Sequence, residues 1–355
     1  SSRSFYRSFE NQQRDLMKKL FIISNESIFQ KNNTYFCDNI DLKSTPEGLN
    51  KKFEVNIIAR KSSKERVHQI NIKNIKVFKS IFSYISSLVN SFKQENSKYL
   101  IISISPYTFL ACIFLKLFKK KPIVYLRSDG YGEYKSILGF MGVALYHLMF
   151  SFTASVSSLI SCREYILRKR KGNIVLPSQL DEDWFTNYKE INFEEFKILY
   201  VGRIRIEKGI FSLLKLIKDK NNLHLTIVGA EKNTLQNIKQ SNVSVIENED
   251  DKFGLIKFYD NHNIFVLPSF TEGHPMSLLE ALARKRPVVI FEEIQHVIGD
   301  KRGIFVSKRN FESFLKTIEH IKKNYREIQE EMKDNKLPTN KEFIKSMEDL
   351  ISNLN

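Results

Sequence analysis

The sequence predicts an α/β protein made of two doubly wound parallel sheets, and three observations carry that expectation. A chain of 355 residues exceeds what one core comfortably holds, so two domains are the starting point. Short β-branched apolar runs recur with helical stretches between them, and the runs are continuous rather than alternating, as strands covered on both faces should be. A polar stretch, TNYKEINFEEF at 186–196, separates two such series.

In the first series the strands are expected at LFIIS (20–24), FEVNIIA (53–59), YLIISIS (99–105), PIVYL (122–126) and NIVLP (173–177). In the second they are expected at KILYVG (197–202), LHLTIVG (223–229), VSVI (243–246), NIFVLP (263–268) and PVVIF (287–291). Between them, Val77, Ile81, Ile85, Leu88 and Phe92 share one helical face, and so do Ile210, Leu213, Leu214 and Ile217. Ser105 followed by Pro106 is a helix start, a capping hydroxyl before a Pro at the first position. Repeated strand–helix units imply right-handed crossovers and parallel pairing. The domains are therefore expected at 17–190 and 191–335, with an amphipathic C-terminal helix at 336–355 that crosses back to the first domain. MKKLFIIS, from Met17, reads as a natural start, which leaves residues 1–16 as an extra N-terminal segment or an artificial extension.

Composition is that of a folded chain, 42% apolar and 27% charged, which argues against disorder away from the ends. Cys37, Cys112 and Cys162 are an odd, scattered set without metal spacing; they read as small buried hydrophobes in a reducing compartment. The net charge of +16 is uneven. Residues 1–190 hold 30 Lys/Arg against 16 Asp/Glu, whereas residues 191–355 hold 26 against 24. The first half should therefore meet something anionic. Residues 137–162 carry no Asp, Glu, Lys or Arg. They read as a buried helix over about 135–151 followed by a buried strand. A helix resting on a membrane, flanked by KKK at 119–121 and RKRK at 168–171, and a full span are the alternatives.

The chemistry concentrates in SFTEGHPMSLLEALARKRPVVIF, residues 269–291. A strand ends, a short loop follows, and Pro275 opens a helix. A helix N-terminus at the C-terminal end of a parallel strand favours phosphate. Gly273 allows close approach, and Met276, Ser277 and Leu278 can present N–H groups. Glu272 makes sense beside a phosphate if it accepts hydrogen bonds from a polyol joined to it. Glu280 can hold a second vicinal diol, such as a ribose. In VGRIRIEKG (201–209) another strand opens into a helix, with Arg203 and Lys208 between Gly202 and Gly209. Two cations there suit a diphosphate. The two stretches converge on a nucleotide diphosphate carrying a sugar.

These residues, with IVLPSQLDEDWF at 174–185 as a looser match, resemble the family four retaining glycosyltransferases of the GT-B fold, of the bacterial surface-glycan type. The resemblance is strong over roughly 197–306 and rests on strand order alone in the first half. It implies two Rossmann-like domains facing a central cleft. It implies that Arg203 and Lys208 hold the donor diphosphate, that Glu272 contacts donor-sugar hydroxyls and that Glu280 binds the ribose. Gly202, Gly273, His274, Pro275, Met276, Ser277 and Leu278 would line the donor, and Ile246 would frame the base. It further implies no metal and no cofactor beyond the nucleotide-sugar co-substrate, with same-face attack and the leaving phosphate taking the acceptor proton. UDP is the expected donor nucleotide, with GDP as the alternative. The expected acceptor is a lipid-linked or lipopolysaccharide-type glycan at the cytoplasmic face of the cell membrane, which the basic first domain would contact; nucleic acid is not an expected partner.

Three stretches depart from the family pattern. The loop after the first strand, SNESIFQKNNTYFCDN (24–39), lacks Gly. Arg127, Ser128 and Asp129 stand where a His is usual on the acceptor side. FEEIQHVIGDKRG (291–303) replaces a Gly-Gly turn. An anionic acceptor could use Arg127. Asp129 reads as a loop cap or a base, His274 as a loop-packing residue, and Trp184 as packing the domain join. A nucleotide-sugar epimerase and a basic nucleic-acid-binding protein are the rival readings. The first would need acid/base residues from the first half, where His68 and His147 are the only histidines.

Overall fold

The computed structural model describes residues 18–230, 238–249 and 251–354. Residues 1–16, expected as an extra segment, and Met17 lie outside them. The chain divides into two compact units, residues 18–177 with 341–354, and residues 178–340.

The first unit runs β1 (Lys19–Lys31), β2 (Thr34–Cys37), α1 (Ile40–Leu49), β3 (Glu54–Lys61), β4 (His68–Ile70), β5 (Asn74–Phe78), α2 (Ile81–Ser91), β6 (Lys98–Ile102), α3 (Pro106–Leu117), β7 (Ile123–Leu126), α4 (Gly130–Val156), β8 (Ser158–Ser161) and β9 (Asn173–Ile174). Seven strands pair in parallel in the order β5-β3-β1-β6-β7-β8-β9. Alternate residues of β1 serve opposite faces. Leu20 and Ile22 join a core with Leu42 and Leu49 of α1, whereas Phe21 and Ile23 join one with Tyr84, Leu88, Cys112 and Met149 of α2, α3 and α4. That is the doubly wound arrangement expected for strands without a polar face.

Three local expectations change. Val77 lies in β5, not on the helix; α2 starts at Ile81 after a Ser80 capping box and buries Tyr84, Leu88 and Ser91. A short apolar run next to a helix does not reveal its own period, and Ser80 marks the true start. Of NIVLP, only Asn173 and Ile174 form a strand. The Gly-free stretch after the first strand is not a loop of the usual kind. β1 is irregular between Ile23 and Ser27, continues to Lys31 and turns back antiparallel as β2 through Asn32 and Asn33, both with positive φ. Asn is among the few residues that tolerate that turn. A fourth expectation changes as well: the helix expected to be buried over about 135–151 is α4, and it buries Tyr146, Met149 and Phe150 but leaves Ile137, Phe140, Met141 and Leu148 exposed, because composition does not distinguish two apolar faces. Ser105 and Thr108 form the capping box of α3 as expected, and all three cysteines are buried and free. Burial pushes their thiols up, Cys37 and Cys112 to about 12 and Cys162 to about 11.

The second unit runs β10 (Lys197–Val201), α5 (Ile210–Ile217), β11 (His224–Ala230), β12 (Val243–Glu247), α6 (Lys252–Asp260), β13 (Ile264–Leu267), α7 (Met276–Ala283), β14 (Val288–Phe291), β15 (Ile304–Ser307), α8 (Phe311–Lys323) and α9 (Tyr325–Met332). Its six strands are parallel in the order β12-β11-β10-β13-β14-β15. Counted from β10 this is 3-2-1-4-5-6, with the direction of winding reversing between β10 and β13. Ile210, Leu213, Leu214 and Ile217 of α5 are all buried.

The division falls at 177/178, ahead of the polar stretch at 186–196. Arg284 explains why. Its guanidinium is 1% exposed, grips Asp260 through two 2.9 Å bonds, and donates to the carbonyls of Trp184, Thr186 and Asn187. The segment is thereby tied to the second unit, and Trp184 packs against Tyr259 inside that unit's core instead of at a join. The last helix, α10 (Asn340–Asn353), belongs to the first unit. It buries Phe343, Ile344, Met347 and Ile351 against the sheet, each worth roughly 1.5–3 kcal/mol.

Candidate active site

The reversal of winding between β10 and β13 leaves a crevice at the C-terminal ends of those strands, where loops from both sides converge. After β10, Gly202 has φ +152° and donates to Val228 O at 2.9 Å. The chain then turns through a short 3-10 segment, Ile206–Lys208, and reaches Gly209 with φ +67°. A Cβ on Gly209 would sit 1.9 Å from the carbonyl oxygen of Pro268. Only glycine lets the two loops touch here.

That approach brings Lys208 onto Glu272. The Lys208 Nζ is 2.7 Å from Glu272 Oε1, and the Ser269 hydroxyl donates to the same oxygen at 2.6 Å. Glu272 is buried, and these two donors are the partners a buried carboxylate needs. Residues 64 apart in sequence thus form one ion pair. Arg203, on the same loop, is exposed, and its carbonyl accepts from the Tyr200 hydroxyl at 2.8 Å.

Pro275 precedes α7 in an extended conformation and offers no side-chain cap. The first turn of α7, with Met276, Ser277 and Leu278, therefore has N–H groups that no capping side chain satisfies. Gly273 and His274 lie in the same loop, both half-buried. One turn into α7, Glu280 Oε2 accepts from the Tyr259 hydroxyl at 2.7 Å. Burial pushes the Glu280 carboxyl up to about 7, while the Tyr259 bond pulls the other way. Ile246 pairs with Val228 on the neighbouring strand and is half-buried.

Several supporting residues were not singled out from sequence. Arg309 lies beneath the loop after β13. It donates to Pro268 O at 2.9 Å, makes a two-bond ion pair with Glu293 and stacks on Phe270 and Phe291. His296 Nε2 lies 2.7 Å from Glu272 O. Glu293 and His296 thus occupy the stretch that departs from a Gly-Gly turn and brace the loop from below. Arg286 holds the backbone carbonyl of Tyr259, and Tyr259 holds Glu280. A buried Arg within the apolar run ALARKRPVV was the available signal.

In the first unit, Arg127 stands at the end of β7 and bonds Glu26 at 3.2 Å and Asp41 at 3.3 Å. Asn39 also donates to Glu26. Two carboxylates hold the guanidinium through its Nη atoms, while its Nε is buried without a partner among the described residues. Ser128 lines a small cavity with Ser103, Gly130 and Tyr146. Asp129 makes no side-chain cap bond to α4; it pairs with Arg168 at 3.2 Å. His68 opens the short antiparallel strand β4, and His147 bonds Tyr131 and Ser151 on α4, so neither stands at the C-terminal end of a parallel strand. Among the described residues, no cluster of His, Cys, Asp and Glu has metal-binding spacing.

Comparison with known proteins agrees with this geometry. Residues 185–337 match the family model described as "Glycosyl transferases group 1". The capsular polysaccharide biosynthesis glycosyltransferase CapM of Staphylococcus aureus is 32% identical over 149 residues, 38% of each chain. The chain thus spans well under half the length of this curated relative. Sucrose-phosphate synthase from Thermosynechococcus elongatus superposes with TM-score 0.69 at 15% identity, over 94% of this chain and 98% of that one. Anabaena HepE, solved with UDP and glucose, superposes with TM-score 0.66 at 10% identity, over 95% and 98%. The chain therefore has the GT-B fold, and its residues 185–337 carry the pattern of the group 1 glycosyltransferases.

Proposed function

We propose that the protein is a retaining, metal-independent glycosyltransferase. It moves a hexosyl group from a nucleotide-diphosphate sugar, UDP first, to a lipid-linked or lipopolysaccharide-type glycan at the cytoplasmic face of the cell membrane. The observation that carries this reading is the Lys208–Glu272 pair at the β10/β13 crevice, beside an uncapped helix start and one turn from Glu280. An ammonium suits the diphosphate, uncapped N–H groups suit its oxygens, and carboxylates suit sugar and ribose hydroxyls. Likeness to a capsular polysaccharide enzyme favours a surface glycan as product. The positive excess of residues 1–190 favours an anionic membrane surface.

In the reaction the bond between the sugar C1 and the β-phosphate oxygen breaks, and an acceptor hydroxyl oxygen bonds C1 from the same face. The acceptor proton passes to the leaving phosphate. Lys208 and Arg203 stabilise the charge that grows on that phosphate, the kind of electrostatic term that dominates many enzymes. Glu272 orients the sugar, and Glu280 holds the ribose. Arg309, His296 and Tyr259 are positioning residues. No cofactor is required beyond the donor itself.

Thermal unfolding with UDP, GDP and CMP tests the donor. A ligand at about 100 times its dissociation constant should add roughly 2.7 kcal/mol of stability. The expected result is a rise with UDP that Glu280→Ala weakens. A rise with GDP alone reassigns the base, and no rise with any nucleotide removes this reading. Sugar conversion without any acceptor would reassign the site to an epimerase.

A further inference from the structure

We propose that the outer face of α4 is the membrane-docking element: it lies in the plane of an anionic bilayer with its apolar side chains in the headgroup–acyl boundary. The helix has two apolar faces. One packs on the sheet through Tyr146, Met149 and Phe150. The other exposes Phe140 (86%), Met141 (82%), Ile137 (72%) and Leu148 (61%). An exposed apolar patch of this kind on a folded unit marks an interaction surface.

The geometry decides between lying on a bilayer and crossing it. The helix is 27 residues long and apolar enough to span. A span would have to pull Tyr146, Met149 and Phe150 out of the core, and Ser157 alone separates α4 from β8, which pairs with β7 in the sheet. The helix also breaks direction at Gly139, whose φ of +62° lies outside the helical region. The break puts Phe140 and Met141 at an exposed corner.

Charge selects the occupant. Residues 137–162 contain no acidic side chain, and cations fringe the patch. Lys135 Nζ is 6.0 Å from the Phe140 ring centre. Arg168 stacks at 4.7 Å on Tyr131, whose hydroxyl bonds His147 of the same helix. Lys169, Arg170 and Lys171 follow, all exposed. A surface of acidic headgroups over hydrocarbon satisfies both the apolar corner and its cationic rim. A second copy of this chain would bring like charge against like.

This inference rests on the membrane reading above, but its test needs no catalysis. The full chain is floated with vesicles of phosphatidylglycerol and phosphatidylethanolamine, and with phosphatidylcholine alone. Wild type should float with the first far more than with the second. Phe140→Asp with Met141→Asp should weaken flotation about a hundredfold. Lys169→Glu with Lys171→Glu should weaken it roughly tenfold on anionic vesicles only. The altered side chains are exposed, so melting curves should match wild type. Unchanged flotation of the Phe140/Met141 variant overturns the proposal. So does a wild-type dimer, seen by light scattering, that this variant dissolves without any vesicle binding. The UDP melting shift is read in parallel on every variant. Its absence with flotation intact counts against the glycosyltransferase reading and leaves the docking face standing.

Discussion

The two units share a plan and differ where it matters. Each contains a run of parallel strands whose winding reverses beside its first strand, between β1 and β6 in one and between β10 and β13 in the other. At the second reversal, glycines let loops approach, and Lys208 meets Glu272 beside an uncapped helix. At the first, β1 bulges and runs on into a hairpin, and Arg127 is held between Glu26 and Asp41. One strand order thus supports two electrostatic settings, a lysine paired with one buried carboxylate beside an uncapped helix start and an arginine held by two half-buried carboxylates. The fold provides the place, and loop residues decide which charges meet there.

Removing each cation tests that contrast most strongly. Lys208→Ala should lower the transfer rate by about 10²–10³-fold, as loss of a charge-stabilising group does, and should also cost about 1–3 kcal/mol of stability because buried Glu272 loses its partner. Arg127→Ala should separate the two effects. Activity per folded molecule should change little, while stability falls by about 1–3 kcal/mol in denaturant titration because two carboxylates lose their partner. Equal losses of turnover in both variants would break the comparison.

Two glycines offer a second contrast. Gly209 and Gly139 both have positive φ, near +65°. A Cβ at Gly209 meets Pro268 O at 1.9 Å, whereas one at Gly139 meets nothing within 4 Å. Gly209→Ala should cost about 3 kcal/mol and nucleotide binding, since strain and overlap add. Gly139→Ala should cost only the backbone term, about 1–3 kcal/mol, because φ +62° with ψ −142° lies in a region essentially reserved for glycine.

The third prediction uses pH and sharpens the reading of the second unit. Burial raises the Glu280 carboxyl to about 7 from an ordinary 4.5. The folded state therefore binds that proton more tightly than the unfolded chain. Its contribution is fully present below pH 4.5 and is lost as pH rises through about 7. Without nucleotide, stability should fall by about 3 kcal/mol across that window, and Glu280→Gln should flatten the profile. A flat wild-type profile would mean that Glu280 is solvated.

The sequence by itself determined the local elements. Strand runs such as KILYVG, the Ser105 cap, the buried face of α5 and the helix opening at Pro275 are all legible because caps and periods act within a few residues. The loops that follow β10 and β13 were legible for the same reason. The hairpin at Asn32 and Asn33 was legible in principle, since consecutive Asn suit its turn.

Only the tertiary structure decided which charges meet. Lys208 with Glu272, Tyr259 with Glu280, Arg127 with Glu26 and Asp41, and Arg284 with the 184–187 backbone join residues far apart along the chain. It also decided that α4 turns one apolar face inward and leaves another open. Composition cannot separate those faces, because both are apolar. The physical reason is common to all these cases. Spacing along a chain sets periodicity and caps, but the partner of a charge or of an apolar face is chosen when crossovers close the sheets.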